Sequence, residues 1–277
     1  MNPIPKLDAL KVSGLDVKTF DNYYKSAGEF SPLSRKPGTR YLFDKEVIEE
    51  WRKNFEWRTV ELTLEDYSLC LDFALAQHFR GYVTSDWSTG RQREFGQKIT
   101  NWVKGQLGEI AVQKFLNKEF DTDIDLDFEI RKKIVPQDII AVLENRKPRN
   151  PRIGVGIKSS KPKNAYLVLS EKEIEIAGRK SDVYIYCRPD IPDDHLLRIT
   201  KDRVVNLVKK EPHFPLYKEK IPAFSNIPCE VAGWCWVNEL KKVTSIPGQT
   251  FDGYRYVIQS GQLHRNKTDW EDLLSHL

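Results

Sequence analysis

The chain has 277 residues, 40% hydrophobic and 30% charged, the composition of a globular protein rather than a fibrous or disordered one, and long enough for one large domain or two unequal ones. The net charge of +4 is too small to argue for a polyanionic partner by itself, so any such argument rests on where the charges sit. No apolar run of about 18 residues occurs, and Met1 to Leu15 lacks the apolar core of a signal peptide, so a cytoplasmic protein without a membrane span is expected.

In chain order, Leu7 to Gly14 predicts a short helix ended by its glycine, and Asp16 is the predicted N-cap of a second helix over Val17 to Ala27. Ser31 to Arg40 then carries three bases, two prolines and no acid, followed by an extended RYLF and a third helix from Asp44 to Lys53. Phe20, Tyr24, Tyr41, Phe43 and Trp51 are the expected small core. Asn22 could pair with a base edge at two points, and arginines in the loop could reach phosphates. A three-helix packing module with merely solvated bases is the competing reading.

The stretch VSGLDVKTFDNYYKSAGEFSPLSRKPGTRYLF, followed by DKEVIEEW, resembles the winged-helix domain of MerR-type regulators and phage excisionases. The resemblance implies a winged helix-turn-helix DNA-binding domain over residues 1–58. Lys18, Thr19, Asn22, Tyr23 and Lys25 would lie on the recognition helix, and Arg35, Lys36 and Arg40 on the wing.

Thr63 to Phe79 predicts a scaffold helix, and the polar loop after it holds Arg91 and Arg93, expected to be solvated. A further helix is predicted over Gly105 to Phe120. Its Glu109 shares a side with Val112 and Leu116, so its carboxylate is either functional or a boundary group whose head reaches water. Asp121 to Ile130 alternates acids with apolar residues and predicts a half-buried strand. IVPQDIIAVLENR predicts a strand with Asp138 at its start, because Pro136 cannot donate within a ladder. RIGVGIKSS predicts a third strand, with Gly154, Gly156, Lys158 and Ser160 on one face. Charge divides sharply here: Glu119 to Glu129 holds six acids and no base, and Arg146 to Lys163 holds seven bases and no acid. Carboxylates beside a basic strip are what metal-assisted cleavage of a phosphodiester requires, although most charge runs are only solvated loops.

GQLGEIAV, then Asp138, then GVGIKSSK and NAYLVLS together resemble the PD-(D/E)XK nuclease superfamily, in particular its type II restriction endonucleases. The resemblance spans about Thr100 to Arg188, in an ordered helix-strand-strand-strand-helix-strand pattern. It implies an α/β fold with a mixed central sheet flanked by helices over residues 59–277. It also implies Mg2+, duplex DNA as substrate, in-line attack by water, and a homodimer. Asp138 and Glu109 would be the metal-binding acids and Lys158 the catalytic lysine, with Lys161 and Lys163 on the DNA. The family places an acid two residues before the lysine, where this chain has Gly156. Three explanations stay open. The acid could come from the next helix, as Glu171 or Glu175, with Glu173 read as the capping-box partner of Ser170. The site could use Glu109 and Asp138 with waters. Or the domain is degenerate and the chain is a non-catalytic DNA-binding regulator.

Asp182 to Arg188 predicts the strand that completes the sheet. Beyond it, Trp234 and Trp236 are expected in the core, and Thr268 with Glu271 is read as the capping box of a final helix. Cys70, Cys187, Cys229 and Cys235 form no CxxC pair, which disfavours structural zinc. The expected activity is a sequence-specific, magnesium-dependent endonuclease, with dependence on a methylated base left open.

Overall fold

The computed structural model describes residues 1–34, 41–80, 94–130, 137–144, 147–176, 180–207 and 219–277. Arg35, Lys36, Arg40, Arg91, Arg93 and Arg146 lie outside the described residues.

Local capping builds the N-terminal unit much as the sequence implies. Strand β1 (Pro3–Pro5) leads into helix α1 (Lys6–Ser13), which stops at Gly14, left-handed at φ 71°, with its N–H on the Leu10 carbonyl. The Asp16 carboxylate accepts the Lys18 and Thr19 N–H groups and so starts α2 (Val17–Asn22). One π-helical turn, Tyr23–Ala27, continues it to Gly28. Strand β2 (Leu42–Asp44) pairs antiparallel with β1, and Asp44 caps α3 (Lys45–Trp57). Phe20, Tyr24, Phe43 and Trp51 are buried with Tyr23 and Phe30, whereas Tyr41 is 38% exposed.

Strand β3 (Thr59–Leu62) and helix α4 (Leu64–Arg80) follow. The next helix, α5 (Phe95–Phe120), begins ten residues before the expected Gly105, because Ile99 and Val103 extend its buried stripe. Asp121 adopts φ 50° as the cap of α5, and the Asp127 carboxylate accepts the Glu129 N–H, so the acidic strand shrinks to β4 (Asp123–Leu126).

β4 pairs with β5 (Ile139–Glu144), and β5 with β6 (Lys147–Arg149), in a three-stranded antiparallel sheet. The third predicted strand, β7 (Val155–Ser159), belongs instead to a mixed four-stranded sheet ordered β3-β10-β9-β7, where β9 is Val183–Pro189 and β10 is Ile227–Trp236. β7 runs parallel to β9, and the other neighbours in that sheet are antiparallel. The chain between β7 and β9 contains β8 (Tyr166–Ser170) and α6 (Glu171–Glu175). Helices α7 (His195–Ile199) and α8 (Lys201–Leu207) lead toward β10. Strands β11 (Lys241–Ile246) and β12 (Gln249–Gln259) join β8 in a further sheet ordered β11-β12-β8. The last helix, α9 (Lys267–His276), is capped by Asn266 with Asp269, two residues earlier than the Thr268 and Glu271 pair suggests.

The result is a mixed α/β structure in layers. α5 lies across one face of the four-stranded sheet, over Val155, Ile157, Val183, Ile185, Cys187 and Val231. The opposite face, with Tyr184 and Tyr186, packs on Leu167 and Leu169 of β8 and Ile258 of β12. Trp234 is buried, with its ring 5.6 Å from that of the half-buried Trp236. No helix among the described residues is long and apolar enough to cross a membrane.

A buried ion network joins the N-terminal unit to this body. Glu29 accepts from Arg188 of β9 at 3.0 Å, from Ser260 Oγ at 2.7 Å and from Trp51 Nε1 at 2.9 Å. Glu230 of β10 takes Arg188 at 3.0 Å and Arg58 at 3.2 Å, and Arg265 stands 3.4 Å from Glu29. Burial raises the pKa of the Glu29 carboxyl, but Arg188 and Arg265 outweigh it and leave the group below its ordinary value.

Candidate active site

The three expected catalytic groups come from segments that adjoin β7, an edge strand among the described residues. Asp138 precedes β5 and is tied to β7 at two points: its N–H donates to the Val155 carbonyl, and its Oδ2 accepts the Ile157 N–H. That pair of bonds fixes the carboxylate against the strand that carries Lys158. α5 brings Glu109 from the helical layer, and its neighbour Gly108 makes the close approach possible: a Cβ there would lie 3.2 Å from the Cys187 Cβ. Glu109 is only 7% exposed, and its Oε1 accepts from Gln106 Nε2 at 2.8 Å. The carboxylate is therefore buried and bonded within the protein rather than set at a solvated boundary.

Charge couples these groups. Burial drives the Glu109 pKa well above its ordinary value, and Asp138 adds to the rise while Lys158 opposes it. Burial also raises Asp138, against the pull of Lys158 and the Ile157 N–H. Asp127, just beyond β4, pushes both carboxyls further up. Lys158 is affected in the opposite sense: burial disfavours its ammonium, but Glu173 and Asp138 more than offset this and hold it above its ordinary value.

The partner of Lys158 is Glu173, the residue that the sequence assigns to the capping box of Ser170. Glu173 Oε1 lies 2.6 Å from Lys158 Nζ. Its backbone N–H does bond Ser170 Oγ at 3.3 Å, so half of the capping box forms, but its carboxylate turns to the lysine. Glu171 and Glu175, expected as the migrated acid, are drawn away by Lys242 of β11, at 3.0 and 2.6 Å. Gly156 itself has no room for an acid. A Cβ there would stand 2.9 Å from both Ser181 Oγ and the ring of Tyr184, its cross-strand partner.

Among the described residues no group of three or more His, Cys, Asp or Glu side chains is placed to hold a metal ion. Glu109 and Asp138 nevertheless form a donor set of the right chemistry. They are hard oxygen ligands, destabilised as anions, that a divalent cation keeping most of its waters would satisfy. His195 is not available as a base. It is buried, with Nδ1 2.6 Å from the Tyr67 hydroxyl and Nε2 2.9 Å from that of Thr100, and burial pushes its pKa down to about 4.

The expected DNA-contacting residues are dispersed. Tyr23 is 2% exposed, packed on Trp51 and beneath the Arg188 guanidinium, and so is a core residue. Asn22 donates its amide to the Lys163 carbonyl at 2.6 Å, which turns part of α2 toward the body. Thr19 donates to the Asp16 carboxylate, and Lys25 pairs with Asp21 at 2.8 Å. Lys18 and Lys163 are exposed and form no ion pair among the described residues, whereas Lys161 sits 2.8 Å from Asp193. In the basic strip, Arg149 pairs with Glu144 at 3.1 Å, and only Lys147 and Arg152 remain unpaired with an acid among the described residues before Lys158. No family model, curated protein or solved structure matches the chain.

Proposed function

We propose that the chain is a sequence-specific, magnesium-dependent endonuclease of duplex DNA, with a restriction-endonuclease-like body and a winged-helix-like N-terminal unit, acting in the cytoplasm as a homodimer. What supports the proposal is the electrostatic coupling of Glu109, Asp138 and Lys158 beside β7, with Glu173 on the lysine where Gly156 leaves the family's acid position bare. Magnesium held by Asp138 and Glu109 would lower the pKa of a bound water and offset charge on the phosphoryl oxygens. Asp138 is oriented by the Ile157 N–H on its Oδ2, which leaves Oδ1 as the oxygen that would bind the ion. Glu173 keeps Lys158 protonated, so the lysine orients the attacking water and stabilises the anionic transition state rather than taking a proton.

The second reading is a DNA-binding regulator without cleavage, favoured by Gly156 and by the engagement of Lys158 with Glu173. Plasmid incubated with the protein and magnesium, beside a chelated control, separates the two: discrete fragments are expected, and mobility shifts alone support the regulator. Lys158→Ala is expected to lower cleavage about a hundredfold or more. Cleavage that persists at the wild-type rate removes the site assignment.

A further inference from the structure

We infer that the β11–β12 hairpin is the element that enters a groove of duplex DNA and reads base edges; this rests on the reading of the chain as a DNA enzyme. Only Arg255–Gln259 of β12 pair with β8, so among the described residues the stretch from Thr244 through Tyr254 pairs with no strand but its own hairpin partner and extends past β8. A two-stranded ribbon, with strands about 4.8 Å apart, fits a major groove about 12 Å wide.

The chemistry of the ribbon suits that partner. Thr244, Ser245, Gln249 and Thr250 are exposed around the Pro247-Gly248 turn, and all are uncharged donors and acceptors of the kind that discriminate bases. Lys241, Lys242 and Arg255 lie nearer the root, against a single acid in the ribbon, Asp252. Lys241 and Arg255 make no ion pair among the described residues, and the Arg255 guanidinium rests 5.8 Å from the Phe251 ring centroid. Uncharged readers at the tip with cations behind them match the division of labour between base edges and phosphates.

The root of the ribbon is also joined to the candidate site. Lys242 and the Tyr256 hydroxyl both bind Glu175, Lys242 also binds Glu171, and the same short helix presents Glu173 to Lys158. One five-residue helix, α6, therefore touches the ribbon on one side and the catalytic lysine on the other. A groove-reading element held this near the reacting phosphate sets the distance between recognition and cutting. α2 is the poorer reader, because Tyr23 is buried and the Asn22 amide is already bonded. A second copy of the chain is the poorer occupant of the ribbon, because lysines on the outer strand and the irregularity between Val243 and Ser245 oppose edge-to-edge pairing.

The test uses the full chain and two ribbon variants, with thermal melts to verify that each folds. Binding is read by anisotropy on a labelled random-sequence duplex across a salt series, cutting on plasmid with magnesium, and association state by sedimentation. Lys241→Ala with Arg255→Ala is expected to weaken binding about tenfold and to reduce the salt slope by about 2, the loss of two phosphate contacts. Ser245→Ala with Gln249→Ala and Thr250→Ala is expected to blur the fragment pattern into additional cut sites. Wild-type fragments and affinity in both variants overturn the ribbon and leave the nuclease standing. Altered binding in a protein that never cuts overturns the nuclease and leaves the ribbon. Variants that change only the sedimentation of the chain overturn the ribbon's assignment to DNA in favour of a second copy.

Discussion

At the scale of single residues, the carboxyls of Glu109 and Asp138 place a sign on the stability of the protein. Both are held above their ordinary values of 4.5 and 3.8. Below those values folded and unfolded chains alike carry the protons, and the groups cost nothing. As pH rises past them the unfolded chain ionises first, so the folded state loses stability progressively until the raised values are passed. Glu109→Gln and Asp138→Asn are therefore expected to raise the melting temperature at neutral pH in chelator, with the gain vanishing near pH 4. Magnesium should stabilise the wild type by mass action and leave both variants where they were. Melts across pH with and without magnesium check this, and variants that melt lower than the wild type at neutral pH would contradict the charge conflict inferred at the site.

At the scale of elements, β7 and α6 exchange a role. Tyr184 fills the space beside Gly156, so an acid cannot stand on the strand, and α6 supplies Glu173 to the lysine instead. Gly156→Asp is accordingly expected to destabilise the fold by about 1–3 kcal/mol through overpacking, without any gain in cleavage. Urea unfolding measures the first and plasmid cutting the second; a variant as stable as the wild type would show that the Tyr184 ring yields. The same helix separates Glu171 and Glu175 from Glu173. In a five-residue helix the side chains of positions 171 and 175 share one side and that of 173 points elsewhere, and only packing against β11 decides which side meets the lysine.

At the scale of the whole molecule, the N-terminal unit is held to the body by charge as well as by its aromatic core. Removing Glu29 would leave Arg58, Arg188 and Arg265 facing Glu230 alone in a buried space. Glu29→Ala is expected to cost about 3–5 kcal/mol, the penalty of an uncompensated buried charge. Its pH dependence runs opposite to that of Glu109. The lowered pKa of Glu29 contributes stability that is present above the ordinary value of 4.5 and is lost as pH falls below it. Denaturant melts at neutral and acid pH check both statements, and a loss below about 1 kcal/mol would show that the network contributes little more than a surface pair does.

The reach of the sequence follows from the range of the forces involved. Caps and glycine stops act over three or four residues, so Gly14, Asp16 and Ser170 could be assigned from their neighbours. Apolar periodicity also marked the buried side of α5, though polar residues hid its first ten positions. Contacts between distant segments left no such local trace. The split of the expected sheet into β4-β5-β6 and β3-β10-β9-β7, the burial of Tyr23 under Arg188, and the choice of Glu173 over Glu171 each depend on a surface supplied by another part of the chain. Which residue types are present, and in what order, was determined by the sequence alone; which of them share a space was decided only when the layers closed, because burial and charge pairing are properties of that closed arrangement.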